Sequence, residues 1–153
     1  MRLLLLLLLA APLAAQPVTP EASCSYTDCA LRVELGFIVG PELVRGEPGN
    51  EVVVGRVGVL MDGLGDAVAA SPQALGHAGS ARRARIGALA ATIAGSALAL
   101  YSAVEIDDGG SDRYLAYFYT GLALGVAGGV LERRAQLELS RAVWEYNRTV
   151  VDG

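Results

Sequence analysis

The chain has 153 residues, 53% of them hydrophobic, with 12 basic against 16 acidic side chains and a formal charge of -4. Its arginines are scattered and lysine is absent, so there is no cationic stripe for a phosphate backbone and nucleic acid is argued against as a partner. The hydrophobic residues gather at residues 3–15 and in two long stretches, leaving roughly 55 to 65 residues between them, near the lower limit for an independent core.

In chain order, Arg2, the apolar run Leu3 to Ala11 and the small residues Ala14 and Ala15 have the layout of a secretory signal peptide over 1–15. The run is too short to span a bilayer comfortably, so cleavage near Ala15 is expected. Residues 16–61 are then expected to form a small exported β-region. It opens on a proline-bearing tether and on Cys24 and Cys29, which in an oxidising compartment read as a local disulfide. Closing so short a loop contributes about 2 kcal/mol by chain-entropy arithmetic, enough to pin a terminus but not to create a domain. Leu31, Val33 and Leu35 alternate with Arg32 and Glu34, and Phe37, Ile38 and Val39 follow before Gly40-Pro41. This predicts a half-buried strand and its stop. A second strand is expected over Glu51 to Leu60, after the turn-forming Glu47-Pro48-Gly49-Asn50, with Leu43 to Arg45 as a short extra strand. Two or three such strands are marginal alone and need a helix or a partner to lean on.

Residues 62–85 are expected to connect this region to the helices, with a short helix over 62–70 and a new start at Ser71 as N-cap and Pro72 at the first helical position. Residues 86–104 and 114–131 carry no charged side chain, and each is about as long as a bilayer core is thick. With a short acidic loop between them they predict a transmembrane helical hairpin over 86–131. The six or seven strongly apolar residues in each contribute about -2 to -4 kcal/mol to insertion, which makes each helix a marginal spanner. Small residues at every fourth position, Gly87, Ala91, Gly95 and Ala99 on the first helix and Gly121, Gly125 and Gly129 on the second, predict a glycine zipper that brings the backbones together. Thr92 and Ser96 are expected to add interhelical hydrogen bonds, and Tyr101, Tyr114, Tyr117 and Tyr119 an aromatic belt near the loop. Residues 132–153 are expected to form a C-terminal amphipathic helix at an interface. The expected fold is thus an α+β membrane protein: a β-hairpin or meander, a helical membrane hairpin and an amphipathic tail.

Topology is contradictory at this level. Arg82, Arg83, Arg85, Arg133 and Arg134 flank the hairpin, which by the positive-inside rule puts both ends in the cytoplasm, whereas a signal peptide puts Cys24 and the strands outside. The signal and the cysteines agree with each other, so an exported N-terminal region is preferred and the final membrane is left open. Catalytic patterns are weak. Asp107 to Asp112 lacks EF-hand spacing and its distal Glu, Asp62 and Asp66 read as exposed charges, and His77 has no partner at ligand or triad spacing. Gly55, Gly58, Gly63 and Gly65 match no phosphate loop. No catalytic, cofactor or metal site is expected.

The motif Cys24-Ser25-Tyr26-Thr27-Asp28-Cys29-Ala30-Leu31-Arg32-Val33-Glu34, with the tail Leu139 to Asn147 that includes Trp144 and Tyr146, resembles small exported bacterial proteins of unknown function. In those, a Cys pair opens a short β-region and a Gly-rich two-helix hairpin leads to an aromatic tail. The resemblance implies no activity. The expectation is a non-enzymatic protein of the bacterial cell envelope, with an anchoring or assembly role, whose partners are the lipid bilayer and either further copies or another envelope protein. Trp144 and Tyr146 are the candidate partner contacts, since large aromatics dominate binding surfaces. A small homo-oligomeric membrane pore is the alternative.

Overall fold

The computed structural model describes residues 25–36, 40–107 and 112–152. The signal segment, the tether, Cys24, Phe37 to Val39 and the centre of the acidic loop lie outside the described residues. Two helices dominate, and a small sheet packs beside one end of them.

Ser25 caps the first short helix: its hydroxyl oxygen accepts from the Asp28 amide at 3.3 Å at the start of α1, Tyr26–Cys29. Three antiparallel strands follow in the order β1-β2-β3: β1 is Leu31–Gly36, β2 Gly40–Arg45 and β3 Val52–Arg56. The fold is α+β and its sheet is a meander. Gly40-Pro41, predicted as a stop, instead opens β2, with Pro41 across from Leu35. Proline is tolerated at a strand start because a missing donor there breaks little of the ladder, and the Pro41 carbonyl still accepts from the Val57 amide at 2.9 Å. The turn into β3 forms at Glu47 to Asn50, where the Asn50 amide donates to the Glu47 carbonyl at 2.9 Å and Gly49 has φ +92°. Proline followed by a left-handed glycine is the residue order that this geometry requires. A register irregularity between Leu43 and Val44 adds twist to β3.

The short helix expected in the connector forms as α2, Asp62–Ala67. Its start presses so closely on β3 that a Cβ on Gly63 would collide with the Arg56 carbonyl, which accounts for glycine there. Ser71 then caps α3, Pro72–Asp107, accepting from the Ala74 amide at 3.4 Å. The last helix, α4, runs unbroken from Asp112 to Asp152. The tail expected to be helical over 132–153 is helical as far as Asp152 and continues α4 without a break. Its apolar face is spent on α3 and the sheet, because Leu139, Ala142 and Tyr146 join Leu31, Leu43, Met61, Leu64 and Val68 in the core.

The seam between α3 and α4 is built from small residues that recur every seven positions. Ala74, Ala81, Ala88, Gly95 and Ser102 are buried along α3, and Gly121, Gly128, Ala135 and Ala142 along α4. The two series lie in antiparallel register: a Cβ on Gly128 would stand 3.1 Å from the Ala88 carbonyl, and one on Gly121 2.7 Å from the Gly95 carbonyl. The same offset carries Ala81 to Ala135 and Ala74 to Ala142. A seven-residue step turns about 20° short of two full turns of helix, a deficit that a left-handed supercoil absorbs.

Part of the four-residue pattern leaves this seam. Gly95 is in tight contact, Ala91 and Ala99 are half-buried beside it, and Gly87 is edged by Leu131. Gly125 and Gly129 face open space. Each four-residue step advances about 40° around a helix, so such a series drifts off one side of the contact. Gly128 is the residue that makes the approach instead. Thr92 lies against it without a hydrogen bond among the described residues, Ser96 is exposed, and the buried Ser102 hydroxyl donates to its own helix at the Leu98 carbonyl, 2.6 Å away.

Substitution at the seam and just beside it should separate these two patterns. Gly95→Leu and Gly121→Leu drive side chains into backbone and are expected to cost at least about 1–3 kcal/mol. Gly125→Leu is expected to be neutral or to gain about 0.5–1 kcal/mol by removing a helical glycine. Thermal unfolding of the three purified variants checks the order, and a Gly125 variant as damaging as the Gly95 one would overturn the seam assignment.

Candidate interaction surface

Three surfaces of different chemistry follow one another along the helix pair. The end nearest the sheet is polar and cross-braced. His77 Nδ1 donates to Glu138 Oε2 at 2.6 Å, and Arg141 reaches the other carboxylate oxygen at 3.0 Å. The two helices are joined again by Arg148 with Gln73 at 3.2 Å and by Thr149 with Ser71 at 3.2 Å. Beside these contacts runs a shallow groove of about 590 Å³ with Gln73, His77, Ser80, Glu138, Glu145 and Arg148 on its walls. Its carboxylates are matched by cations in the same ladder, and no group of three or more metal-type ligands occurs among the described residues. The groove reads as the structural cross-link of the helices, and His77 gains the partner that sequence spacing could not show.

Glu138 is the most enclosed of these ionisable groups. Its carboxyl is held below the ordinary carboxylate range first by the His77 hydrogen bond, which outweighs the opposing effect of burial, with the Arg141 charge adding to it.

The sheet is fastened to the same end by α4. The Asn147 amide behaves like a strand: its Oδ1 accepts from the Leu31 amide at 2.7 Å, and its Nδ2 donates to the Leu31 carbonyl at 2.9 Å. Beside it Tyr146 is only 7% exposed, hydrogen-bonded to Arg45 and covered by its guanidinium at 5.7 Å. Tyr146 is thus an internal clamp, and its expected role as a partner contact is corrected: the sheet occupies the face that a partner would need. Trp144 is 59% exposed, with Arg148 stacked on its ring at 5.2 Å. Cys29 is disulfide-bonded, while Cys24, the partner expected for it, lies outside the described residues.

The far half of the pair is charge-free over 86–104 and 114–131 and turns large apolar side chains outward. Ile86, Ile93, Leu100 and Val104 on α3, and Leu115, Leu122, Val126 and Val130 on α4, are all exposed, Leu100 to 70%. Both helices are long and apolar enough to cross a membrane, and only 17% and 11% of their most apolar windows are buried. The small-residue seam explains this: alanine and glycine face inward, so the bulky residues have nowhere else to go. The acidic-loop end carries an edge-to-face series of rings, Tyr101 to Tyr114 at 6.1 Å and Tyr114 to Tyr117 at 6.3 Å. The boundary of the bare surface on the sheet side is the Arg85–Glu132 ion pair between the helices.

An acid-dependent loss of stability follows from Glu138. Its lowered carboxyl contributes stability while ionised, fully present above the ordinary carboxylate range and lost as pH falls through the folded-state value. Glu138→Gln is expected to cost on the order of 1 kcal/mol at neutral pH and to flatten the acid limb of a melting-temperature profile. An unchanged acid limb would show that this contact does not carry the dependence.

No protein-family model, curated protein or solved structure matches the chain.

Proposed function

We propose that the chain is a non-enzymatic membrane protein of the bacterial cell envelope, in which α3 and α4 cross the bilayer as a hairpin and carry the small sheet on the side where they emerge. One observation carries this reading: two adjoining charge-free stretches leave their large apolar side chains bare on the outside of the pair. A core helix of a water-soluble domain would have these side chains covered. Each charge-free stretch rises about 27 to 28 Å along its helix, close to the hydrocarbon thickness of a bilayer. Arg85 and Glu132 at one border and the tyrosines at the other are residue types suited to the two interfaces.

The role is anchoring or assembly. The hairpin supplies the attachment, and the outward surface that includes Trp144 is offered to an envelope partner or to another copy. Because the helices are antiparallel, the start of α3, the end of α4 and the sheet share one side, and the end of α3 and the start of α4 share the other. The signal segment and the cysteine pair favour export of the shared side, against the charge rule.

Fractionation with single-cysteine labelling at Ser23, Gly109 and Asp152 tests this. Ser23 and Asp152 are expected to label from one face and Gly109 from the other. Recovery of the mature chain as a monodisperse species without detergent would end the membrane reading, and stepwise conductance in planar bilayers would replace anchoring with a pore. Ile93→Arg is a second test. It adds about 2.5–3.5 kcal/mol to insertion at mid-helix and is expected to move the chain out of the membrane fraction, whereas Leu137→Arg on the polar half should leave it there.

A further inference from the structure

Four arginines stand together where the bare apolar surface ends. Arg82 and Arg83 precede the charge-free stretch of α3, and Arg133 and Arg134 follow that of α4. The antiparallel register that sets Ala81 across from Ala135 puts all four within one helical turn of the same level. All four are exposed. Arg85 and Glu132, also at this level, neutralise each other across the seam. Arg83 reaches only the Ser80 hydroxyl, at 3.2 Å, and Arg82, Arg133 and Arg134 make no hydrogen bond or ion pair among the described residues. The hairpin therefore wears a collar of four uncompensated cations at one border of its apolar surface.

Arg141 and Arg148, about two and four turns beyond Arg134, are both paired with carboxylates on their own helix. A second observation points in the same direction. Arg85 Nε donates to the Val59 carbonyl at 3.0 Å, and this holds the exposed Val59 and Leu60 against α3 at the level of the collar. Apolar side chains beside cations are what an interface between hydrocarbon and phosphate layers accommodates.

We infer that Arg82, Arg83, Arg133 and Arg134 bind the headgroups of acidic phospholipids and so fix the depth and the preferred leaflet of the hairpin. This rests on the membrane reading, and the occupant is an acidic lipid leaflet rather than a soluble anion. The guanidinium fork matches phosphate oxygens in a bidentate manner. Each arginine at an acidic surface is worth about a fivefold preference, and neighbouring ones act together.

The test uses the full mature chain reconstituted into vesicles of phosphatidylcholine alone and of phosphatidylcholine with about one third phosphatidylglycerol. Spin-labelled phosphatidylglycerol and phosphatidylcholine report which lipid occupies the boundary of the protein. The expected result is a severalfold enrichment of phosphatidylglycerol that falls towards unity when all four arginines are changed to glutamine, and that falls also in high salt. Arg→Lys at the same four positions should retain much of the enrichment, and circular dichroism should show every variant equally helical. Incorporation into both vesicles without any lipid preference would overturn the collar and leave the membrane reading standing. So would a preference that survives the glutamine changes. Displacement of the labelled lipid by millimolar inorganic phosphate would reassign the arginines to a soluble anion and also overturn the inference. Failure to incorporate into either vesicle would remove both.

Discussion

Contact between backbones across the α3–α4 seam is the constraint from which the rest of the molecule follows. Alanine, glycine and serine at seven-residue intervals leave almost no side-chain volume between the helices. Cohesion comes from many short dispersion contacts rather than from interlocked large side chains. The bulky apolar residues are displaced to the outside. In water that arrangement would leave a large apolar area bare; in hydrocarbon it costs nothing, since lipid tails solvate leucine and valine as well as a protein core does. The same packing principle serves the polar half, but there the outside carries charge and the sheet covers part of the apolar face.

The sequence made some elements plain and obscured others for physical reasons. Ser71-Pro72, Glu47 to Asn50 and the charge-free stretches announce themselves locally, through a cap, a turn and a composition, and each forms where its chemistry dictates. The seam was harder to see. Runs such as Gly121, Gly125 and Gly129 satisfy a four-residue rule by eye, yet in this glycine-rich context many spacings can be drawn and only the seven-residue one keeps a constant face over the whole length. The residues of that series are as apolar as their neighbours, so hydropathy gives no contrast. Size was the signal, with Ala74, Ala81 and Ala88 continuing into Gly95.

The candidate surfaces were legible to different degrees. The helical pattern of the tail puts Trp144 on the face of Arg141 and Arg148 and Tyr146 on that of Leu139 and Val143, but nothing local reveals that Arg45, about a hundred positions away, will cover the Tyr146 ring. His77 is similar: its partner Glu138 is distant in sequence, and a rule based on short spacing cannot find a pair made by two antiparallel helices. Contacts that depend on the helix register become readable only once that register is known.

The attachment of the sheet has a mechanical consequence. Asn147 grips β1 near the end of α4, and Arg85 grips the Val59 turn much further along the helix pair. The strands and the turn that follows them are thus tied to the helix pair at two separated levels, and swivelling about either one alone would break the hydrogen bonding at the other.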